Sequence, residues 1–183
     1  MNTPLNSPRY STASIALHWA MLVLMVAVYA FINIADFFPK GSDARLWAKN
    51  WHFTLGLLVL AVVWLRIAVR ALGTTPPIHP TPPAWPQTGG KAVHLLLYVL
   101  LVAMPWLGGL ALSAGGKPVP FVGLELPSLL APNKELGHQI KEVHELGGNL
   151  GYALIGAHAV AALFHHYVVR DNTLARMWFK LRA

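Results

Sequence analysis

The sequence contains no cysteine among its 183 residues. Disulfides, thiolate metal sites and cofactors bonded covalently through a C-x-x-C-H motif are therefore excluded, and the nine histidines are the metal ligands in best supply. Charged residues are also scarce, at 11%, whereas 55% of residues are hydrophobic and the mean hydropathy is +0.49. The formal net charge of +7 does not indicate a nucleic-acid-binding protein, because the charges lie between apolar runs and form no basic stripe.

Long apolar runs dominate the chain. Residues 10–35, 92–116 and 146–169 contain no Asp, Glu, Lys or Arg, and the run 50–65 extends to residue 72 if Arg66 and Arg70 reach the membrane surface. Each can cross a bilayer, which needs about 20 residues, and the first is too long to be the core of a signal peptide. We predict one domain over residues 1–183, an all-α integral membrane four-helix bundle with helices at about 11–38, 44–72, 91–112 and 134–169.

The segments between these helices carry turn and breaker residues. Residues 73–90 include six prolines and predict an extended connector without helix, and residues 114–132 predict a loop broken by Gly and Pro. Asn133 is the predicted N-cap of the fourth helix, with Glu135 in its first turn. Pro105 is predicted to kink the third helix.

Basic residues are distributed unequally between the two ends of the predicted bundle. The end formed by the N-terminal tail, the proline-rich connector and the C-terminal tail holds eight basic residues and one acid, and the other end holds six of each. The positive-inside rule then places both termini in the cytoplasm. The eight basic residues are Arg9, Arg66, Arg70, Lys91, Arg170, Arg176, Lys180 and Arg182.

Four positions of the last helix recur at a seven-residue spacing: His144, Gly151, His158 and His165. Seven residues turn a helix by about 700°, so these positions share one face. His144 and His158 are separated by about 21 Å of helix, most of a hydrocarbon core of about 30 Å. Because polar side chains inside a membrane are costly and usually functional, we expect two stacked cofactors, with Gly151 admitting a large flat group to the backbone.

The predicted topology assigns a depth to the histidines of the other helices. His52 and His144 each follow a lysine by three residues where their helices enter the outer side of the membrane, whereas His18 and His158 fall in its inner half. We therefore expect two bis-histidine pairs, His52 with His144 and His18 with His158. Two axial imidazoles suit the iron of a b-type haem.

The remaining histidines are interpreted mainly as interfacial side chains. His165 is the rival of His158 because it shares the same face, but it lies about 31 Å from His144, at the membrane edge. His79 and His138 are interpreted as interfacial. His94, His165 and His166 stay candidates for contacts with a haem propionate or for a quinone pocket.

Several motifs make the chain similar to a known family over essentially its whole length. S-I-A-L-H-W at 14–19, W-H-x-x-x-G at 51–56, H-E-L-G-G-N-L-G-Y-A-L-I-G-A-H at 144–158 and H-H-Y-V-V-R-D-N-T-L at 165–174 resemble the bacterial cytochrome b561 family. The resemblance implies a small di-haem cytochrome of the inner membrane. It also implies His18, His52, His144 and His158 as haem ligands, ubiquinone as electron partner and, for close members, superoxide as periplasmic donor.

Two six-coordinate haems leave no open iron position, so we expect single-electron transfer. With the donor that the resemblance implies, the expected activity is that of a superoxide oxidase. Lys49, Lys141 and Arg45, near the outer histidines, either steer an anion or bind propionates and lipid phosphates. Two alternatives remain open. One is a haem-bearing anchor subunit that passes electrons from a partner dehydrogenase or hydrogenase to quinone, and the other is a structural or transport bundle without haem.

Overall fold

A computed structural model of the protein describes residues 9–81 and 84–179, without the side chains of 84–86. In this part of the chain, four helices are long and apolar enough to cross a membrane. They are α1 (Thr12–Asp36), α2 (Asp43–Leu72), α3 (Ala84–Ala114) and α4 (Lys134–Phe164), and α4 continues into a π-helical turn, His165–Val169. The chain is thus an all-α membrane four-helix bundle, as predicted.

Helices α1, α2 and α4 begin at a side-chain cap. The hydroxyl of Ser11 accepts a hydrogen bond from the Ser14 N–H, and Ser42 accepts one from the Arg45 N–H. Asn133 accepts from the Leu136 N–H at 3.1 Å, which confirms the predicted N-cap of α4. Such caps satisfy N–H groups that have no partner inside the helix, and they fix where each helix starts.

The bundle packs as two helix pairs, α1 with α2 and α3 with α4. A small core of Met21, Val59 and Val63 lies between α1 and α2, and α3 contributes Tyr98 and Leu101 at its edge. Many large apolar side chains face outward, Val23 with 67% of its surface exposed among them. This surface is the one that a bilayer covers, since lipid solvates apolar side chains that water would not.

One end of the bundle, here called the inner end, gathers the segments that the sequence assigned to the cytoplasmic side. The Tyr10 N–H donates to the Arg176 carbonyl at 3.1 Å, and the Asn172 N–H donates to the His79 carbonyl at 3.1 Å. These bonds join the N-terminal segment and the connector to the C-terminal segment. The compartment they face stays a prediction. Parts of these segments, including Lys180 and Arg182, lie outside the described residues.

Two predictions about the connecting segments are wrong. Helix α3 begins at Ala84 and not near Lys91, so the second half of the proline-rich segment is helical. Pro86 falls in the first turn, where a helix makes no use of the N–H that proline lacks. The predicted loop at 114–132 contains a hairpin, β1 (Val119–Phe121) paired with β2 (Leu124–Leu126). Its turn, Val122-Gly123, has φ angles of 49° and 78°, a geometry that suits a two-residue hairpin.

The hairpin lies at the other end of the bundle, here called the outer end. The Val122 N–H donates to Thr54 Oγ1 of α2 at 3.4 Å, and the Asn133 N–H donates to the Ala114 carbonyl at 2.8 Å. The hairpin is therefore held against α2 while the chain crosses from α3 to α4.

Two histidine pairs as candidate cofactor sites

The outer pair consists of His52 on α2 and His144 on α4. Their ring centres lie 6.2 Å apart and their planes are nearly perpendicular, at 89°. Nδ1 of His52 lies 2.9 Å from the carbonyl oxygen of Val28 on α1. A carbonyl only accepts hydrogen bonds, so Nδ1 carries the proton and Nε2 keeps its lone pair for a metal.

Small residues leave space around the outer pair. A cavity of about 30 Å³ is lined by both histidines and by Gly56 and Gly108. A Cβ atom added at Gly108 would lie 3.2 Å from Cε1 of His144, whereas one added at Gly56 would meet nothing within 4 Å. Glycine at these two positions therefore lets a flat group approach the helix backbones beside the imidazoles.

The inner pair consists of His18 on α1 and His158 on α4, with ring centres 6.1 Å apart and planes at 70°. His94 on α3 lies closer to His158, at 5.3 Å between ring centres. Nδ1 of His18 is buried and has no hydrogen-bond partner among the described residues. A buried imidazole nitrogen without a partner points to a group that the protein itself does not supply.

The spacing within both pairs fits one metal ion between two imidazoles. A metal–imidazole nitrogen bond is about 2.0 Å, and the ring centre lies about 1.1 Å behind that nitrogen, so ligands on opposite sides of a metal have centres roughly 6.2 Å apart. The observed 6.2 Å and 6.1 Å match this value. At 5.3 Å, His94 and His158 are too close for that arrangement.

Each pair alone offers a metal only two protein ligands. Within the described residues, no cluster of three or more His, Cys, Asp or Glu side chains is arranged to hold a metal ion. Two neutral nitrogens on opposite sides of a six-coordinate metal leave four coordination positions to be filled by another ligand. A haem macrocycle supplies four ring nitrogens in one plane, so the residues present fit a b-type haem at each pair.

Comparison with known proteins identifies the family. The profile of the family described as Prokaryotic cytochrome b561 matches residues 9–180. Cytochrome b561 homolog 1 of Escherichia coli (strain K12) is 38% identical over 169 residues, covering 92% of this chain and 96% of that protein. The Yersinia pestis protein named Probable superoxide oxidase CybB is 35% identical, covering 96% and 98% of the two chains. The chain belongs to the prokaryotic cytochrome b561 family. It is therefore a bacterial membrane protein that carries electrons by means of b-type haem.

The structure of this cytochrome b561 brings together the four histidines predicted from the sequence. Their assignment as the haem ligands stays a prediction. His165, the rival of His158, lies at the edge of the bundle, with Nδ1 2.5 Å from Oδ2 of Asp171. His138 is exposed and lies 3.6 Å from Glu142.

The inner site of the cytochrome b561 contains residues that the sequence analysis did not assign to it. A cavity of about 120 Å³ is lined by His18, His158 and His94 and also by three arginines, Arg66, Arg70 and Arg176. One sequence feature could have placed Arg66 there: it follows His52 by 14 residues, the spacing of His144 and His158 on α4. Arg176 had no such signal, because it arrives from the C-terminal segment.

Gly151 admits a large flat group to its backbone, as the sequence predicts, and a group found there is the phenol of Tyr29 on α1. The approach of a cofactor to Gly151 stays a prediction. The Tyr29 hydroxyl donates to the Gly148 carbonyl at 2.8 Å. Glycine at position 151 therefore makes room for the Tyr29 side chain, which reaches from α1 to α4 between the two histidine pairs.

The basic residues near the outer pair differ in their partners. Arg45 forms an ion pair with Asp36 at 2.7 Å, and Lys141 forms one with Glu145. No ion pair involves Lys49 within the described residues; Arg45, Lys117 and Lys141 repel this lysine and Asp36 attracts it. Unlike Arg45 and Lys141, Lys49 therefore has no ion-pair partner in the described part of the chain.

Proposed function

We propose that this cytochrome b561 is a superoxide oxidase that delivers the electrons of superoxide to ubiquinone. Two superoxide anions each lose one electron and become dioxygen, while one quinone takes up the two electrons and two protons and becomes a quinol. A relative 35% identical to this chain carries the name Probable superoxide oxidase, and that name supports this donor.

The observation that carries the proposal is the position of the two histidine pairs. Both use α4, and their ligands on that helix are 14 residues apart, which is about 21 Å of helix. We propose that His52 and His144 hold a b haem near the outer end, and that His18 and His158 hold a second one near the inner end. The two histidines of each pair would hold the haem iron, and the bound haem would supply one-electron redox chemistry.

The protein's own residues define what can reach these sites. Val28 fixes the ring orientation of His52 by its hydrogen bond. The outer site lies under the hairpin and beside Lys49, whose positive charge attracts a small anion such as superoxide. We place the protein in the bacterial inner membrane with both termini on the cytoplasmic side, so that the outer site faces the periplasm.

A two-part experiment on the purified chain tests this function. A pyridine haemochrome assay is expected to give two haems b per chain. Superoxide generated in the presence of a soluble ubiquinone analogue is then expected to give one quinol for every two superoxide anions consumed.

Each of the two assays can give a result that contradicts the proposal. One haem per chain, or none, contradicts the two-pair assignment. Two haems that superoxide does not reduce, but that a partner dehydrogenase or hydrogenase does, would make the protein an anchor subunit of such a complex.

A further inference from the structure

Three guanidinium groups converge on the cavity beside the inner histidine pair. Arg66 and Arg70 come from neighbouring turns of α2, and Arg176 comes from the 3₁₀ turn Ala175–Met177 of the C-terminal segment. Arg176 is only 7% exposed, so this cation is almost entirely removed from solvent. Burial lowers the pKa of Arg176 below the ordinary value of a guanidinium.

The partners of these arginines are all uncharged groups. Arg66 Nε donates to the Tyr98 hydroxyl at 3.3 Å, and Arg70 donates to the Tyr10 hydroxyl at 3.4 Å. Arg176 donates to the Pro76 carbonyl, while its buried Nε has no hydrogen-bond partner among the described residues. No ion pair in the described part of the chain includes any of the three.

The acid nearest in sequence, Asp171, attracts Arg176 electrostatically but forms no ion pair with any of the three arginines among the described residues. The Asp171 carboxylate accepts hydrogen bonds from the ring of His165 at 2.5 Å and from the Thr173 N–H at 2.8 Å. Three positive charges without a carboxylate partner, one of them buried, are unfavourable unless an anion joins them. A planar guanidinium with free N–H donors binds a carboxylate through two parallel hydrogen bonds.

We propose that Arg66, Arg70 and Arg176 form a cradle for the two propionate carboxylates of the inner haem. This inference rests on the proposed function, because it requires a haem between His18 and His158. The positions agree with it: Arg66 lies at the depth of the inner pair by its spacing from His52, and Arg70 lies about 6 Å further toward the inner end. The cradle also ties the C-terminal segment to the cofactor, because Arg176 belongs to that segment.

The cradle has a consequence for the reduction potential. Positive charge near a haem stabilises the reduced form, which carries one positive charge less than the oxidised form. Loss of one arginine is therefore expected to lower the midpoint potential of the inner haem and to leave that of the outer haem unchanged.

Redox titration of variants in detergent measures this effect. The titration step that disappears in His18→Ala first identifies the inner haem. Arg70→Gln and Arg176→Gln are then expected to lower the midpoint potential of that step, while Arg176→Lys is expected to retain most of the wild-type potential. Lys91→Gln, which removes one positive charge from an exposed site on the same end, is the matched control and is expected to change neither step.

Infrared difference spectroscopy with haem labelled with ¹³C at the propionates gives an independent readout. The labelled carboxylate bands are expected to shift in the arginine variants and to stay in place in Lys91→Gln. Unchanged bands together with an unchanged potential would overturn the cradle, even if His18→Ala shows that the inner haem itself is present. If His18→Ala retains both haems, the proposed function fails first.

An anionic lipid headgroup offers the same chemistry as a propionate, and reconstitution separates the two sources. In vesicles of phosphatidylcholine alone, the arginine variants are expected to show the same shifts of the midpoint potential and of the carboxylate bands as in vesicles that also contain phosphatidylglycerol. Shifts of either quantity that occur only with phosphatidylglycerol would assign the arginines to lipid and overturn the proposal.

Discussion

The phenol of Tyr29 lies directly against Gly151, midway along α4 between its two inward-facing histidines. Gly151 is buried, and a Cβ atom at this position would also lie 3.2 Å from Cδ1 of Leu100 on α3. Three helices therefore meet at one glycine. The tyrosine adds a second link, because its hydroxyl donates to the Gly148 carbonyl one turn earlier on α4.

Gly151→Ala is expected to destabilise the bundle. The new methyl group meets the Tyr29 hydroxyl, and overpacking of this kind costs about 1–3 kcal/mol. Thermal unfolding in detergent, followed by circular dichroism, measures the loss. Gly156→Ala is the matched control, because a Cβ there meets nothing within 4 Å, and alanine stabilises a helix interior by about 0.5–1 kcal/mol relative to glycine.

The same contact predicts a rescue. Removing the hydroxyl in the double variant Tyr29→Phe, Gly151→Ala is expected to recover a large part of the lost stability. Equal stability of Gly151→Ala and Gly156→Ala would show that Tyr29 moves aside without cost.

A second prediction concerns the pairing of the histidines. His52→Ala and His144→Ala are each expected to lower the haem content from two to one and to remove the same haem, because each variant deprives the outer iron of an axial ligand. His18→Ala and His158→Ala are expected to remove the other haem. Pyridine haemochrome assays and low-temperature spectra distinguish the two losses.

His94 and His165 provide the controls for that series. Both lie near the inner site, but His94 is too close to His158 for the two rings to lie on opposite sides of one metal, and His165 is hydrogen-bonded to Asp171. His94→Ala and His165→Ala are therefore expected to keep two haems. Loss of a haem in His94→Ala with full occupancy in His18→Ala would exchange the roles of those two residues.

The lengths of the apolar runs were sufficient to predict the four membrane helices, though not the start of α3. Helical periodicity and the predicted topology together were sufficient to predict which histidines lie close to each other. A helix has a fixed rise and turn, so the spacing of His144 and His158 determines both their depth and their shared face. The rotation of one helix against another is not encoded in either pattern alone, and the contact between Tyr29 and Gly151 was therefore missed. The position of Arg176 depends on hydrogen bonds between distant loops, such as that from the Asn172 N–H to the His79 carbonyl, and these have no periodicity.

The pair formed by His165 and Asp171 is expected to give the inner end a pH-dependent stability. Burial raises the pKa of Asp171, but hydrogen bonds from His165 and Thr173 outweigh that effect and lower the pKa below its ordinary value. The stabilisation is therefore fully present above the unfolded-state pKa, about 3.9, and is lost as the pH falls through the lower folded-state pKa.

Asp171→Asn tests this dependence. At pH 7 the variant is expected to be about 1.5–3 kcal/mol less stable than the wild type, because a hydrogen bond to a buried carboxylate is lost. The difference is expected to shrink as the pH falls below about 3.9. Glu145→Gln, which breaks the exposed pair with Lys141, is the control and is expected to cost less than about 1 kcal/mol. A difference that is constant from pH 7 down to acid unfolding would exclude an ionised Asp171 as its source.

The last prediction concerns the route of superoxide to the outer site. Lys49 lies one turn before His52 and forms no ion pair within the described residues, whereas Glu145 already compensates Lys141. Attraction of a small anion is therefore expected to depend on Lys49 more than on Lys141. Lys49→Gln is expected to slow superoxide-driven quinone reduction severalfold at low ionic strength and to flatten its salt dependence, because exposed charges are screened beyond about 8–10 Å at physiological salt.

Two comparisons make this prediction specific to the position of the charge. Lys134→Gln also removes one positive charge from the outer end, but Lys134 lies about 15 Å from His144 along α4. This variant is expected to leave the rate and the salt slope nearly unchanged. An uncharged reductant is expected to reduce the wild type and Lys49→Gln at equal rates, because it feels no steering. If Lys49→Gln retains the wild-type rate and salt slope with superoxide, Lys49 does not guide the anion. Contact with a haem propionate or a lipid phosphate then becomes the better explanation for a lysine at this position.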